Sequence, residues 1–443
     1  IRVLLYADDL VLLAESPHGL QQQLEVLAAF CTHYSLTVNV RKSEAMVFNS
    51  QFDTMAHNMD ITYNGSNMEV KPEFLYLGML FHEKDGLLPA VVRNLDKGRK
   101  AMYAMIRRCY GLELYNVHMK CHLFDALVRP ILSYGSEVWC PLILHKTANK
   151  NASTRGIANQ MEQLHLAFLC QCLGIRRSTP TLAILYELQR EPMAFGWLRQ
   201  TVRFWNKIQA RRPEDLTRLA LQESCDMAAS GYRSCWAYCF GKCIGTTGTT
   251  LPPACIDMTY TVRTLMDQWW NRMPNLNMIN EQREMAVRDI PDHEHRGFKL
   301  FTYFKWFATA YGEPKQRKWW LHLNDEKHIH AMAQFRLGSH WLEVEMGRFR
   351  NQSSRSMRVC RCCTGGERED EMHYMTCPLY HDIRNRATAT ARIPARIDSD
   401  AVMNQTVNPP QGHYEVGSFW LGLAKYLVCC KARREMHMAG GTP

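Results

Sequence analysis

At 443 residues, with 46% hydrophobic and 22% charged residues, the chain has the composition of a globular protein of two to four domains. No apolar run reaches the roughly 18 residues that would span a bilayer, and the opening residues do not read as a signal peptide, so no membrane partner is expected. The 53 basic residues outnumber the 43 acidic ones, giving +10, an excess that permits a nucleic-acid partner without requiring one.

The opening stretch IRVLLYADDLVLLAES sets Asp8 and Asp9 between two apolar runs and predicts a β-hairpin with the carboxylates at its tip. A solvated turn is the plain explanation, because Asp is a common turn residue. The alternative is metal binding. Two carboxylates held rigidly together repel each other, and a divalent cation relieves the repulsion. Mg²⁺ takes hard oxygen ligands, often one or two carboxylates together with substrate phosphates. Two such ions about 4 Å apart stabilise both the attacking and the leaving oxygen in phosphoryl transfer.

Ser16-Pro17 reads as a helix start, and Leu20, Leu24, Leu27, Ala28 and Cys31 continue at helical spacing, predicting an amphipathic helix over 17–34. LTVNV and EAMVFNS read as two short strands with Asn39 and Lys42 between their cores, and FLYLGMLF as another strand. From Lys84 to Arg108 a helical pattern carries Arg93, Lys97, Arg99, Lys100, Arg107 and Arg108. HKTANKNASTRG reads as a polar loop, and YRSCWAYCFGKCIGTTGTTLPPAC as a loop or linker. FKLFTYFKWF and KQRKWW interleave aromatic and basic residues, a mix that can stack bases but fits a helical core better. RATATARIPARIDSD and NQTVNPPQGH look loop-like, and FWLGLAKYLVCCKARREM reads as one final amphipathic helix.

The 17 cysteines are scattered and accompany no secretion signal, which predicts mostly reduced thiols in an intracellular protein. One group stands apart. Cys360, Cys363, His373 and Cys377 give C-x2-C-x9-H-x3-C, a spacing that suits tetrahedral Zn²⁺. His373 and Cys377 fall on one face of a helical turn, and Gly365-Gly366 supplies flexible backbone after the first pair. Cys362 is an alternative ligand but is adjacent to Cys363, and metal-free buried thiols are the plain explanation. Cys170 and Cys172 lack nearby His partners and read as core thiols. Arg348, Arg350, Arg355, Arg358 and Arg361 lead into the cluster with no acidic residue from Gly347 to Gly366, a natural surface for phosphates, or else a solvated basic loop.

These stretches carry a family resemblance. YADD between apolar strands resembles the catalytic hairpin of reverse transcriptases, LTVNVRKSEAMVF resembles the next palm motif, and FLYLG resembles the primer grip. ALVRPILSYGSEVW, the segment from Met161 to Pro192, FRLGSHWLEVEMGRF and CRCCTGGEREDEMHYMTCPLYHDIR are similar to the thumb and C-terminal zinc region of non-LTR (LINE-type) retrotransposons. The match is good over residues 1–210 and 333–385, and little between 215 and 330 is diagnostic.

The resemblance implies an α+β chain. Residues 1–82 would be the C-terminal part of a right-hand polymerase palm, 83–212 a helical thumb, 213–332 a helical connector, 333–385 a CCHC zinc knuckle region and 386–443 a tail with a final helix. It implies RNA-directed DNA synthesis with RNA template, DNA primer and deoxynucleoside triphosphates as partners and two Mg²⁺ and a Zn²⁺ as cofactors. Asp8 would ligate Mg²⁺ with Asp9 aiding it, Tyr6 would pack beside the primer terminus, and Ala7 would lie under the incoming nucleotide. Lys42 would protonate the leaving pyrophosphate, Asn39 would shape its loop, and Phe74, Tyr76, Leu77 and Gly78 would place the primer end. The basic face of the 84–108 helix would track the template–primer backbone. A third carboxylate and the fingers belong to motifs upstream of Ile1, in a missing N-terminal part of the same polyprotein. The chain alone is therefore expected to be inactive, and the family's use of chromosomal DNA implies a nuclear location. A group II intron maturase and a non-catalytic nucleic-acid-binding remnant are the rival readings.

Overall fold

The computed structural model describes residues 3–48, 60–147, 155–245, 298–307, 318–350, 357–391, 393–394, 396–408 and 416–440. Its N-terminal part holds small two-stranded sheets and one helix, and the remainder is mostly helical. This agrees with the α+β expectation.

Strands β1 (Val3–Tyr6) and β2 (Asp9–Leu12) form an antiparallel hairpin in register Val3 to Leu12 and Tyr6 to Asp9. Helix α1 (Pro17–His33) follows, with the Ser16 hydroxyl accepting from the Gly19 amide and Pro17 in the first turn. Leu24 and Cys31 are its buried positions. Leu24 joins Ala45, Ile61 and Tyr63 in a small core, which ties α1 to β3 (Glu44–Ala45) and β4 (Thr62–Tyr63), and the exposed β5 (Ser66–Asn67) pairs with β4. Gln21 clamps α1 to β4 from both sides, donating to the Thr62 carbonyl at 3.1 Å and accepting from the Thr62 amide at 3.0 Å. Strand β6 (Glu69–Val70) pairs in parallel with β3.

LTVNV is not a strand. The Lys42 and Ser43 amides bond back to the Asn39 and Val40 carbonyls and close a 3₁₀ turn over Val40–Lys42, so no ladder forms. Of EAMVFNS only Glu44–Ala45 is in a strand, and its last two residues lie outside the described residues. FLYLGMLF is two strands rather than one. β7 (Glu73–Tyr76) and β8 (Met79–His82) are joined by Leu77 and Gly78, whose positive φ angles of 47° and 81° match the twist of a two-residue hairpin.

Helix α2 (Leu88–Gly111) buries Val91, Leu95, Gly98, Met102, Met105 and Cys109, one face at helical spacing, and exposes Lys97, Arg99, Lys100, Arg107 and Arg108 on the other. Gly98 is where Leu132 crosses. A methyl added there would overlap Leu132 Cδ2 and sit 2.7 Å from Cγ. Gly98→Ala is expected to cost about 1–3 kcal/mol through overpacking, read as a lower urea midpoint at unchanged slope.

Helices α3 (Val117–Leu123), α4 (Arg129–Leu132), α5 (Ser136–Thr147), α6 (Arg155–Leu173), α7 (Thr181–Glu187) and α8 (Met193–Gln209) continue the bundle, with a π turn over Phe124–Val128 just before Pro130. The loop expected from His145 begins as helix, and 148–154 lie outside the described residues. The main core draws on Val91 through Trp197 and also on Leu300 through Cys430. A second core joins α8 to α9 (Leu216–Ala229) and α10 (Trp236–Gly245).

Helix α10 corrects the linker reading of that segment. Trp236, Phe240 and Ile244 recur at helical spacing, and Phe240 stacks on Trp205 at 4.5 Å. The Gly/Thr/Pro-rich residues 246–255 lie outside the described residues. FKLFTYFKWF is the helical core element expected, an α turn over Phe298–Thr302 running into a π turn over Tyr303–Phe307. Of KQRKWW, Lys318-Trp319-Trp320 is described, and both tryptophans are buried. The two tail segments expected as loops are helical in part. The helix His381–Ala391, which packs Ile383 inward, takes in 386–391, and the helix Asp400–Val407, which buries Met403 and Val407, takes in 404–407, whereas 393–394 and 396–398 are loop as expected and 409–413 lie outside the described residues. The final helix is Val416–Met438, burying Phe419, Trp420, Leu423, Leu427 and Cys430. All described cysteines are free thiols, Cys170 and Cys172 buried among them. Burial pushes the Cys121 thiol up to about 11 and Cys140 to about 12, so these are inert core groups. No helix among the described residues is long and apolar enough to cross a membrane.

Candidate catalytic hairpin and metal centre

Tyr6, Ala7, Asp8 and Asp9 form the tip of the β1–β2 hairpin, and all four are exposed. Ala7 takes φ of +51°, a left-handed backbone that glycine adopts more cheaply. That conformation closes the turn in two residues and leaves both carboxylates projecting from one tip. Neither has an ion-pair partner among the described residues. Two acceptor-only groups side by side, free of internal cations, have the donor chemistry that Mg²⁺ requires.

Asn39 precedes the 3₁₀ turn that carries Lys42, and both side chains are exposed. Phe74 and Tyr76 lie on β7 and are half-buried, while Leu77 and Gly78 form the exposed turn. The site residues thus come from three separate local structures, and no hydrogen bond or ion pair among the described residues joins them. The β7–β8 turn is nevertheless held from outside. The Tyr134 hydroxyl donates to the Leu77 carbonyl at 2.7 Å, and the Tyr134 ring lies 3.5 Å from where a Gly78 Cβ would stand. Tyr134 is itself fixed, its carbonyl accepting from Asn94 Nδ2 at 3.0 Å and Trp139 Nε1 at 2.8 Å. Sequence reading noticed Tyr134 only as part of SYGSEVW; nothing in the spacing pointed to the turn 57 residues earlier.

The second site is built on a short ribbon. The Cys360 amide donates to the Glu367 carbonyl at 2.8 Å and the Glu369 amide to the Arg358 carbonyl at 3.0 Å. The intervening loop carries Cys363. Asp370 then caps the helix Glu371–Thr376, accepting from the His373 amide at 3.0 Å, and Cys377 ends it. The ligand atoms of Cys360, Cys363, His373 and Cys377 all lie within 4.8 Å of one another. Tetrahedral sulfur ligands about 2.3 Å from zinc stand about 3.8 Å apart, so the cage is close to the size that Zn²⁺ needs. Cys362 is buried and groups with Cys360 and Glu369 instead.

Hydrogen bonds from Cys362 and Cys377 hold the Cys360 thiol far below its ordinary value, a thiolate ready for a cation. Burial alone would lower His373, but hydrogen bonds to Cys360 and Glu367 raise it. Behind the cage, Arg434 of the final helix makes a two-point ion pair with Glu369 at 2.8 and 2.9 Å. Glu367 and Glu369 are not marked by the sequence, where the spacing points only to the Cys and His ligands.

Of the arginines preceding the cage, Arg348 and Arg350 sit on the 3₁₀ turn Gly347–Arg350, and Arg355 lies outside the described residues. Arg358 is half-buried and donates to the Val344 carbonyl at 2.7 Å.

Residues 1–81 match the family model described as reverse transcriptase (RNA-dependent DNA polymerase). An uncharacterized transposon-derived protein of Caenorhabditis elegans is 27% identical over 152 residues, which are 34% of this chain and half of that protein's own length. No solved structure matches the chain. The family match ends on β8, so the stretch that is similar to reverse transcriptases takes in both the YADD hairpin and the Leu77-Gly78 turn, and the chain spans half the length of the transposon-derived relative.

Proposed function

We propose that the chain is the C-terminal part of a non-LTR (LINE-type) retrotransposon reverse transcriptase, with residues 1–82 completing a palm and the helices after it forming the thumb. One observation carries the reading. Within the segment that matches the family, the adjacent carboxylates Asp8, in the two-residue turn, and Asp9, first in β2, stand exposed without ion-pair partners among the described residues. The reaction is addition of a deoxynucleotide to a DNA 3′-OH on an RNA template.

In this reading Asp8 and Asp9 hold Mg²⁺, which when bound supplies charge neutralisation at the reacting phosphate. Tyr6 and Ala7 border the primer end and the nucleotide. Lys42 delivers a proton to the leaving pyrophosphate, offsetting the charge that builds there, and Asn39 shapes its loop. Phe74, Tyr76, Leu77 and Gly78 set the primer, and the Tyr134 hydrogen bond keeps their turn in place. The exposed basic face of α2 meets the phosphate backbone, as do Arg348, Arg350, Arg355 and Arg358. Cys360, Cys363, His373 and Cys377 hold Zn²⁺, supported by their clustering.

The test is primer extension on an RNA template by the chain joined to the upstream part of the polymerase. Asp8→Asn should lower synthesis on the order of 10³-fold, the loss expected when several kcal/mol of metal-assisted stabilisation goes. Full activity of that variant would sink the assignment.

A further inference from the structure

Among the described residues, Glu367 is the one carboxylate that touches the His373 ring. Its Oε2 lies 2.7 Å from His373 Nδ1, while His373 Nε2 faces Cys363 Sγ at 3.5 Å. The His373 side chain is buried and that of Glu367 is 67% exposed. The backbone explains the approach. The Glu367 carbonyl is bonded to the Cys360 amide, so the ribbon brings the Glu367 side chain beside the cage from the strand opposite the first ligand. Gly366, with φ of +67°, turns the chain into that strand.

A carboxylate accepts and cannot donate when ionised, so the proton on the His373 ring must sit on Nδ1 to make this bond. In the neutral ring, the form that ligates a metal, Nε2 is then left with its lone pair directed into the cage. A histidine that donates its second ring N–H to a carboxylate is fixed in orientation and made a better ligand. We infer that Glu367 is a positioning residue for His373, selecting the tautomer and ring orientation in which Nε2 ligates a cation held with the three thiolates. This rests on reading the four residues as a Zn²⁺ site. Asp370 and Arg368 complete the surroundings without competing for the ring. Arg368 pairs with Asp370 at 2.8 Å, and Asp370 accepts from the His373 backbone.

The experiment measures zinc on the purified chain by competition with a chromophoric chelator at neutral pH, for wild type, Glu367→Ala, Glu367→Gln and a charge control, Glu435→Ala. Wild type should hold one zinc per chain. Glu367→Ala should bind it about 10–100-fold more weakly, with the control unchanged. Glu367→Gln keeps an acceptor oxygen and should fall between, whereas a purely Coulombic effect would make it as weak as Glu367→Ala. Long-range ¹H–¹⁵N spectra of the metal-free chain give a readout that a general structural role would not move. His373 should be protonated on Nδ1 in wild type and should lose that preference in Glu367→Ala. Equal zinc affinity in wild type and Glu367→Ala overturns the inference and leaves the zinc reading standing. A wild-type chain that takes up no zinc overturns the zinc reading and the inference with it.

Discussion

Replacing Arg336 with methionine should destabilise the chain by about 3–5 kcal/mol, seen as a lower midpoint in urea or heat. Arg336 is 2% exposed and donates to both carboxylate oxygens of Glu187, to the Phe307 and Val407 carbonyls and to Asn408 Oδ1. Its guanidinium also lies over the rings of Phe307, at 5.3 Å, and Trp420, at 5.6 Å. Methionine fills much of the space and keeps the apolar contacts, so the loss is chiefly electrostatic. Glu187 would remain buried as a charge, held by the Tyr303 hydroxyl at 2.7 Å and the Trp319 indole N–H. Burial, with Glu187 beside it, pushes the Tyr303 phenol well above its ordinary value, so Tyr303 stays a neutral donor. The carboxylate would then have donors but no countercharge. Glu187→Gln combined with Arg336→Met should recover part of the stability, because removing both charges removes the uncompensated one. If the double variant is no more stable than Arg336→Met, charge pairing is not what the site contributes.

If the four-residue cage holds zinc as proposed, withdrawing the metal should loosen the cage first. Structural zinc in small peptides contributes roughly 10–16 kcal/mol of apparent binding free energy, most of it expressed as folding. The ribbon and capped helix from Val359 to Cys377 are short elements that could not hold three thiols close together unaided. Chelator at neutral pH should therefore abolish amide protection across that stretch in hydrogen exchange, while amides of α2 and α6 keep theirs. The Glu369–Arg434 pair predicts how far the loosening spreads. The end of the final helix should lose protection next, because its buried Arg434 would lose a fixed partner. Protection over Val359–Cys377 that is indifferent to chelator would show that the thiols pack without a metal.

Much of this was legible from local signals. Asp8-Asp9 between apolar runs announced the hairpin, Ser16-Pro17 announced α1, and the Cys/His spacing announced a group that the fold brings within 4.8 Å. Asn64-Gly65 is as strong a hairpin signal as exists, and both residues take the positive φ that a primed turn requires. Helix α10 was missed because its second half runs into a Gly/Thr stretch, which outweighed the spacing of Trp236, Phe240 and Ile244. Other features were not locally written at all. Glu187 sits in ILYELQ and Arg336 in AQFRLG, single charges inside apolar runs, and each therefore signals a buried partner. At a separation of 149 positions, no spacing rule could pair them. The same holds for Tyr134 and Leu77. Secondary structure follows from periodicity within a dozen residues, whereas these contacts are set by how helices stack.

The long reach of the main core also has a consequence for how the chain is made. Ribosomes add about 5–20 residues each second, so Glu187 waits about 7–30 s for Arg336 to be synthesised. Throughout that interval α6 and α7 have emerged with apolar faces whose partners, Leu300 through Cys430, do not yet exist. The newborn helical half is therefore a sticky intermediate by design of its topology, dependent on chaperones or on speed to reach its own C-terminus before it finds a neighbour.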